Sequence, residues 1–240
     1  MRFVHFKAPF GAFRFFQAVE MAVTADFMTH SAAYGLLLGL AGIPRKEKEK
    51  YLGVRVALGL KGEELPVRGR VYQQLHWVKL EGRVAKKKGK PPKGETLPAA
   101  YERSAGMKPD IRPYVREFLH GIEGCIGLEC AAKPEFEQQV EDGINQPEKL
   151  NNWGLPFMGD NNFFIERLEV SKAPSACRWF FPYKGGLLPP AERLHYLSVW
   201  TDYKSNSRSG SFPFILTDIN ETPPDDAWVE IKEFNMKVAP

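Results

Sequence analysis

Ten basic residues crowd one 34-residue stretch: Arg83, Lys86, Lys87, Lys88, Lys90, Lys93, Arg103, Lys108, Arg112 and Arg116, opposed only by Glu95, Glu102 and Asp110. The stretch carries +7, which leaves −3 for the other 206 residues. Cationic groups at this density can neutralise successive backbone phosphates, releasing counterions and making affinity depend on salt. Tyr101 and Tyr114 lie in the same stretch and offer rings on which unpaired bases can stack. A lysine run by itself is more often a solvated face than a site. Length weighs on the other side, because a structureless insertion of more than ~15 residues in a compact domain is usually functional or disordered. On composition alone, capture of a nucleic-acid strand and a loop that binds nothing both stay open.

Residues for bond-making chemistry are scattered. His5, His30, His76, His120 and His195 fall in no HExxH pattern, and neither GxSxG nor a phosphate-binding GxxxxGK[ST] loop occurs. Gly185-Gly186 is a two-glycine turn without the further glycines of a phosphate loop. Asp225-Asp226 follows two prolines and reads as an exposed turn before a strand. Cys125, Cys130 and Cys177 are odd in number with no CxxC spacing, so they read as small buried hydrophobes in a reducing compartment. His30 and Ser31 stand at the start of an apolar helix, where free backbone N–H groups favour phosphate. An exposed histidine in a plain capping region fits the same residues. No catalytic residue, metal site or cofactor is expected from these patterns.

The elements that must carry these residues alternate in type. Arg2–Lys7 reads as a strand, and residues 8–14 (APFGAFR) as the turn that stops it. Ser31 reads as the N-cap of a helix through AAYGLLLGLAGI, apolar on nearly all sides and ended by Gly42 and Pro44. Gly35, Gly39 and Gly42 each cost such a helix about 1 kcal/mol relative to Ala, which close packing against a sheet would offset. RKEKEK (45–50) reads as a solvated loop. Leu52–Leu60, Val67–Leu80 and Arg116–Cys130 read as strands, and Pro134–Ile144 as a helix with Phe136 and Val140 on one face. Further strands follow beyond the Gly/Asn/Pro turn near residue 160. This order predicts an α+β, ferredoxin-like (RRM/RAMP) βαββαβ domain over residues 1–170. A basic thumb insertion occupies about 82–116, and a β-rich C-terminal extension, 171–240, packs on the domain.

A chain 43% apolar and 12% aromatic excludes wholesale disorder. The longest apolar run, Ala32–Ile43, is about twelve residues against the ~20 that span a bilayer. With no signal-peptide pattern at the start, a soluble cytoplasmic protein that does not engage a membrane is expected.

Several segments, in order, resemble one family, the Cas-five subunits of type I CRISPR surveillance complexes (Cascade), a branch of the RAMP superfamily. The opening strand and APFGAFR are similar to the family's first strand and its Gly-Pro-type loop ending in Phe-Arg, here Phe13 and Arg14. THSAAYGLLLGLAGI resembles its Ser-containing turn and Gly-Leu-Leu helix, with KPDIRPYVREFLHGIEGCIGLE and LPFMGDNNFFIERLEV following in the expected places. Details of the N-terminal half are nearest to type I-B or Myxococcus-type versions. The resemblance spans residues 1 to about 170 and implies an RNA-binding domain with a protruding thumb.

It further implies that the protein grips the 5′ handle of the CRISPR RNA and caps the filament of Cas-seven-type backbone subunits. Contact with the large subunit near the site where target DNA is recognised at its PAM is also implied. Phosphates would be held by the basic segment, by Arg14 and by the His30–Ser31 helix start, and bases by Phe13, Tyr101 and Tyr114. One branch, in type I-C systems, cuts precursor RNA with a Tyr, a Lys and a His, the last two adjacent. No Lys-His pair occurs in this chain, so binding without cleavage is expected, with a metal-independent endoribonuclease or a scaffold that binds no RNA as alternatives.

Overall fold

The computed structural model describes residues 1–18, 20–77, 110–150, 154–187, 193–202 and 209–233. Its architecture is mixed α and β, and every strand among the described residues belongs to one sheet. At the centre lies β6, Asp110–Glu129, a 20-residue strand. β1 (Arg2–Gly11) pairs antiparallel with it through Arg2↔Leu128 to Gly11↔Leu119. β4 (Arg55–Leu60) pairs antiparallel on the other side, and β7 (Arg167–Ser171) adds antiparallel to the outer edge of β1. The core order is thus β7-β1-β6-β4. β8 (Cys177–Pro182), β10 (Gly210–Asn220) and β9 (His195–Trp200) extend the sheet beyond β4.

Alternating residues of β1 divide between two cores, as a pleated strand requires. Val4, Phe6 and Ala8 join Val56, Leu58, Ile126 and Leu128 beneath two helices, α1 (His30–Leu40) and α2 (Pro134–Asn145). Phe3 points the other way, with Ala57, Cys125, Cys177 and Trp179, and Trp228 closes that side edge-on to Phe3 at 6.2 Å. Each fully buried aromatic here stabilises by roughly 1.5–3 kcal/mol. The three cysteines are buried and unbonded to one another.

Several expectations are corrected. The strand expected to stop before Ala8 continues to Gly11. β7 last pairs at Lys7, so Pro9 falls where that edge of β1 is open and its missing N–H costs no ladder bond. Residues 14–24 form a hairpin, β2 (Arg14–Ala18) and β3 (Met21–Thr24), that the sequence pattern did not announce. The α1 N-cap is Thr29 rather than Ser31: the Thr29 hydroxyl accepts from Ala32 N at 3.2 Å. At the other end Gly42 N bonds Gly39 O and Ile43 N bonds Leu38 O, a Schellman closure.

Gly35 and Gly39 do not pack against the sheet. They lie exposed on the outer side of α1, with nothing within 4 Å of where a Cβ would stand. The close approach lies instead at Gly143 of α2, whose added Cβ would meet Leu40 O at 1.7 Å. RKEKEK is not a free loop either. It forms a 3-10 turn, Arg45–Tyr51, tied to α1 by Tyr34 Oη donating to Lys48 O at 2.6 Å.

The long strand also changes sides. Its residues in the core beneath the helices are Ile122, Ile126 and Leu128 towards the C-terminal end but Leu119 towards the other. Gly121, at φ 71, lies between the two sets, and a left-handed residue of this kind is what lets a strand shift its alternation. Beyond Gly121, β5 (Val67–Trp77) replaces β4 as the partner, running from Val67↔His120 to Trp77↔Asp110. The β5–β6 ribbon therefore leaves the core as a hairpin.

Candidate nucleic-acid interface

The hairpin's far end is where the basic segment belongs. Trp77 and Asp110 are paired, so residues 78–109 join the two strands there. Lys86, Lys87, Lys88, Lys90 and Lys93, with Arg83, Arg103, Lys108 and Tyr101, lie outside the described residues. Arg112 falls on β6 at a position where only the backbone is described. Residues 110–116, expected within the insertion, belong to strand β6.

One face of β5 gathers two arginines and a tyrosine. Arg68, Arg70 and Tyr72 occupy alternate positions and therefore share a side, opposite Leu119, Glu117 and Val115. Tyr72 is 80% exposed. At the root of the ribbon a chain of ion pairs crosses four elements. Glu117, only 3% exposed, accepts from Arg68 Nη1 at 2.6 Å, from Arg70 Nε at 3.1 Å and from Thr24 N at 3.4 Å. Arg68 Nη2 reaches Asp26 Oδ1 at 2.6 Å, and Asp26 Oδ2 lies 2.9 Å from His195 Nδ1 on β9. The hydrogen bond from His195 holds the Asp26 carboxyl below its ordinary pKa despite partial burial, with the charges of His195, Arg193 and Arg68 adding to it.

Asp26, Arg68 and His195 border a cavity of about 470 Å³ that also touches Arg178 and Arg193. Arg178 is pinned by two carbonyls, donating from Nε to Thr217 O at 3.0 Å and from Nη1 to Glu63 O at 2.8 Å. Neither carbonyl cancels its charge. None of Asp26, Arg68, Arg178, Arg193 or His195 was singled out by sequence spacing. The one legible signal was the i, i+2, i+4 run Arg68, Arg70, Tyr72 within a strand; the rest converge only through the fold.

The described residues expected at the interface separate into two groups. Arg14 is exposed at the start of β2, beside Phe15, whose 44%-exposed ring lies 6.3 Å from that of Tyr196. Ser31 is half-buried, and its hydroxyl donates to Thr201 Oγ1 at 3.1 Å. Phe13, Tyr114 and His30 are corrections. Phe13 is 2% exposed and part of the core, and Tyr114 is 6% exposed, so neither ring has an open face for a base. His30 is fully buried, stacked on Phe214 with ring centroids 4.7 Å apart, and both its ring nitrogens lack partners. Desolvation pushes its pKa down to about 3, so it is neutral and cannot serve a phosphate as a cation. Arg116 is engaged by Asp160 at 2.8 Å.

Among the described residues, no three His, Cys, Asp or Glu side chains cluster as a metal site would need, and no helix is long and apolar enough to cross a membrane.

No protein-family model matches the chain, and no curated protein sequence is similar to it. Solved structures do resemble it in fold. A chain of a "CRISPR RNA-guided surveillance complex" superposes with a TM-score of 0.53 at 14% identity, covering 92% of this chain and 89% of that one. A "Crystal structure of Cas protein" aligns over 93% of this chain and 100% of the other, at 13% identity and a TM-score of 0.47.

Proposed function

We propose that this chain is the Cas-five-type, CRISPR RNA-binding subunit of a type I surveillance complex. In this reading β7-β1-β6-β4 with α1 and α2 is a ferredoxin-like palm and the β5–β6 ribbon is its thumb. The thumb carries a net positive segment at its end and Arg68, Arg70 and Tyr72 along one face. That placement, on a fold shared with a surveillance-complex chain, is the observation that supports the reading most. Phosphates bind the cationic thumb and Arg14 and bases stack on exposed rings, so phosphate contacts fix the register of the strand while rings hold it. The RNA is the 5′ handle of the CRISPR RNA, and the subunit caps the Cas-seven-type filament and meets the large subunit beside the PAM of the target DNA. It holds the RNA without cutting it.

The test is incubation of the purified protein with labelled repeat RNA in EDTA across a KCl series. Salt-dependent retention of intact RNA is expected. Specific cutting at the handle boundary would make the protein a metal-independent endoribonuclease instead, and binding that is absent at all salt concentrations would leave only a scaffold. Arg14→Ala is expected to weaken RNA retention; retention equal to that of the unmodified chain would remove Arg14 from the interface.

A further inference from the structure

We infer that the cavity at the root of the β5–β6 ribbon is a binding site for a single unpaired nucleotide, taken by its phosphate on Arg178 and Arg193. The inference depends on the RNA-binding reading for the strand that delivers the nucleotide, while the chemistry of the pocket stands by itself.

The arginines around this cavity are not equivalent. Arg68 is committed to two carboxylates, Asp26 and Glu117, each at 2.6 Å. Among the described residues no carboxylate lies within ion-pair distance of Arg178 or Arg193. Arg178 is nevertheless held still, because both of its protein bonds run to neutral carbonyls, Thr217 O and Glu63 O. A guanidinium fixed in place but left with its charge binds an anion without first giving up side-chain freedom. Arg193, exposed and lining the same cavity, supplies a second guanidinium. Two such groups suit the several acceptor oxygens of a phosphate.

The remaining walls describe the rest of the ligand. Leu65, Pro66 and the buried Leu119 and Leu216 also line the cavity. A volume of about 470 Å³ far exceeds the needs of a lone phosphate and falls in the range of small-ligand sites. The lining is mostly polar, and Leu65 with Pro66 gives the flat ring of a base one apolar contact. Glu64 at the exposed margin is an acceptor for an exocyclic amine or a ribose hydroxyl. The same carboxylate, with Asp26, disfavours an aspartate-rich peptide, whose run of negative charges exceeds that of a mononucleotide.

The experiment titrates the full chain with AMP, GMP, CMP and UMP, with inorganic phosphate, and with an aspartate-rich peptide, by calorimetry. At least one nucleotide should bind tenfold or more tightly than phosphate. Arg193→Gln, at an exposed position, should weaken it at least tenfold, and Arg178→Gln should do the same with an unchanged circular-dichroism spectrum. Phosphate binding as well as any nucleotide, peptide binding best, or indifference to Arg193→Gln would each overturn the proposal. Mononucleotide binding without oligonucleotide binding would keep the pocket and refute the RNA reading. Oligonucleotide binding insensitive to both arginine variants, with no mononucleotide binding, would do the reverse.

Discussion

Asp26 and His195, 169 residues apart in the chain, meet with Oδ2 and Nδ1 2.9 Å apart. Through that contact the segment before α1 is fastened to β9, and Arg68 fastens both to the ribbon. The root of the candidate interface is therefore held by charge pairs rather than by apolar packing alone.

Removing the Asp26 charge tests this anchor. The carboxyl is held below its ordinary 3.8, so its contribution is fully present above that value and is lost as the pH falls through the lower folded-state pKa. Asp26→Asn is expected to cost about 1–3 kcal/mol at neutral pH, since it strips a charge partner from Arg68 and His195. Urea titrations of the two proteins should converge as the pH is taken below 3.8.

His30 acts with the opposite sign. Its folded-state pKa of about 3 is below the ordinary 6.5, so between these values the unfolded chain binds the proton and the folded chain does not. The penalty is absent above 6.5 and grows by about 1.4 kcal/mol per pH unit below it, reaching roughly 2 kcal/mol at pH 5. His30→Phe keeps a ring against Phe214 and removes two unpartnered nitrogens. It should leave stability at pH 7 equal or higher and flatten its decline between pH 6.5 and 4. A decline as steep as that of the unmodified protein would show that other groups cause the acid sensitivity.

The two helices respond oppositely to the same substitution. Gly143→Ala places a methyl group 1.7 Å from Leu40 O, so α2 must move away from α1 and lose packing, at an expected cost of about 2 kcal/mol or more. Gly35→Ala and Gly39→Ala meet open space and should each stabilise by up to about 1 kcal/mol through helix propensity. Thermal melts of the three variants distinguish these signs directly.

Replacing Lys86, Lys87, Lys88 and Lys90 with Ala should weaken RNA binding and lower the salt slope by as much as about three, at roughly 0.7 per single-strand phosphate neutralised. Fluorescence anisotropy over a KCl series measures both. An unchanged slope would mean that these lysines touch no phosphate.

The sequence by itself determined the elements whose signals are local. Pro134 ahead of Phe136 and Val140 marked α2, Gly42 marked the end of α1, and the strand pattern of Leu52–Leu60 marked β4, which runs from Arg55 to Leu60. Each depends on neighbours a few residues away, and so does the concentration of charge between Arg83 and Arg116. The tertiary structure alone decided which aromatic and cationic side chains are free. Phe13, Tyr114 and His30 have suitable chemistry but are buried by strands distant in sequence. Arg178, Arg193, Asp26 and His195 show no common spacing, yet they border one cavity because β8, β9 and the ribbon meet there. Burial and convergence are long-range properties, set by which strands pair, and no local pattern encodes them. The positive segment was legible as chemistry from the start; that it joins the end of a hairpin rooted in an ion-pair chain was decided by the pairing of Trp77 with Asp110.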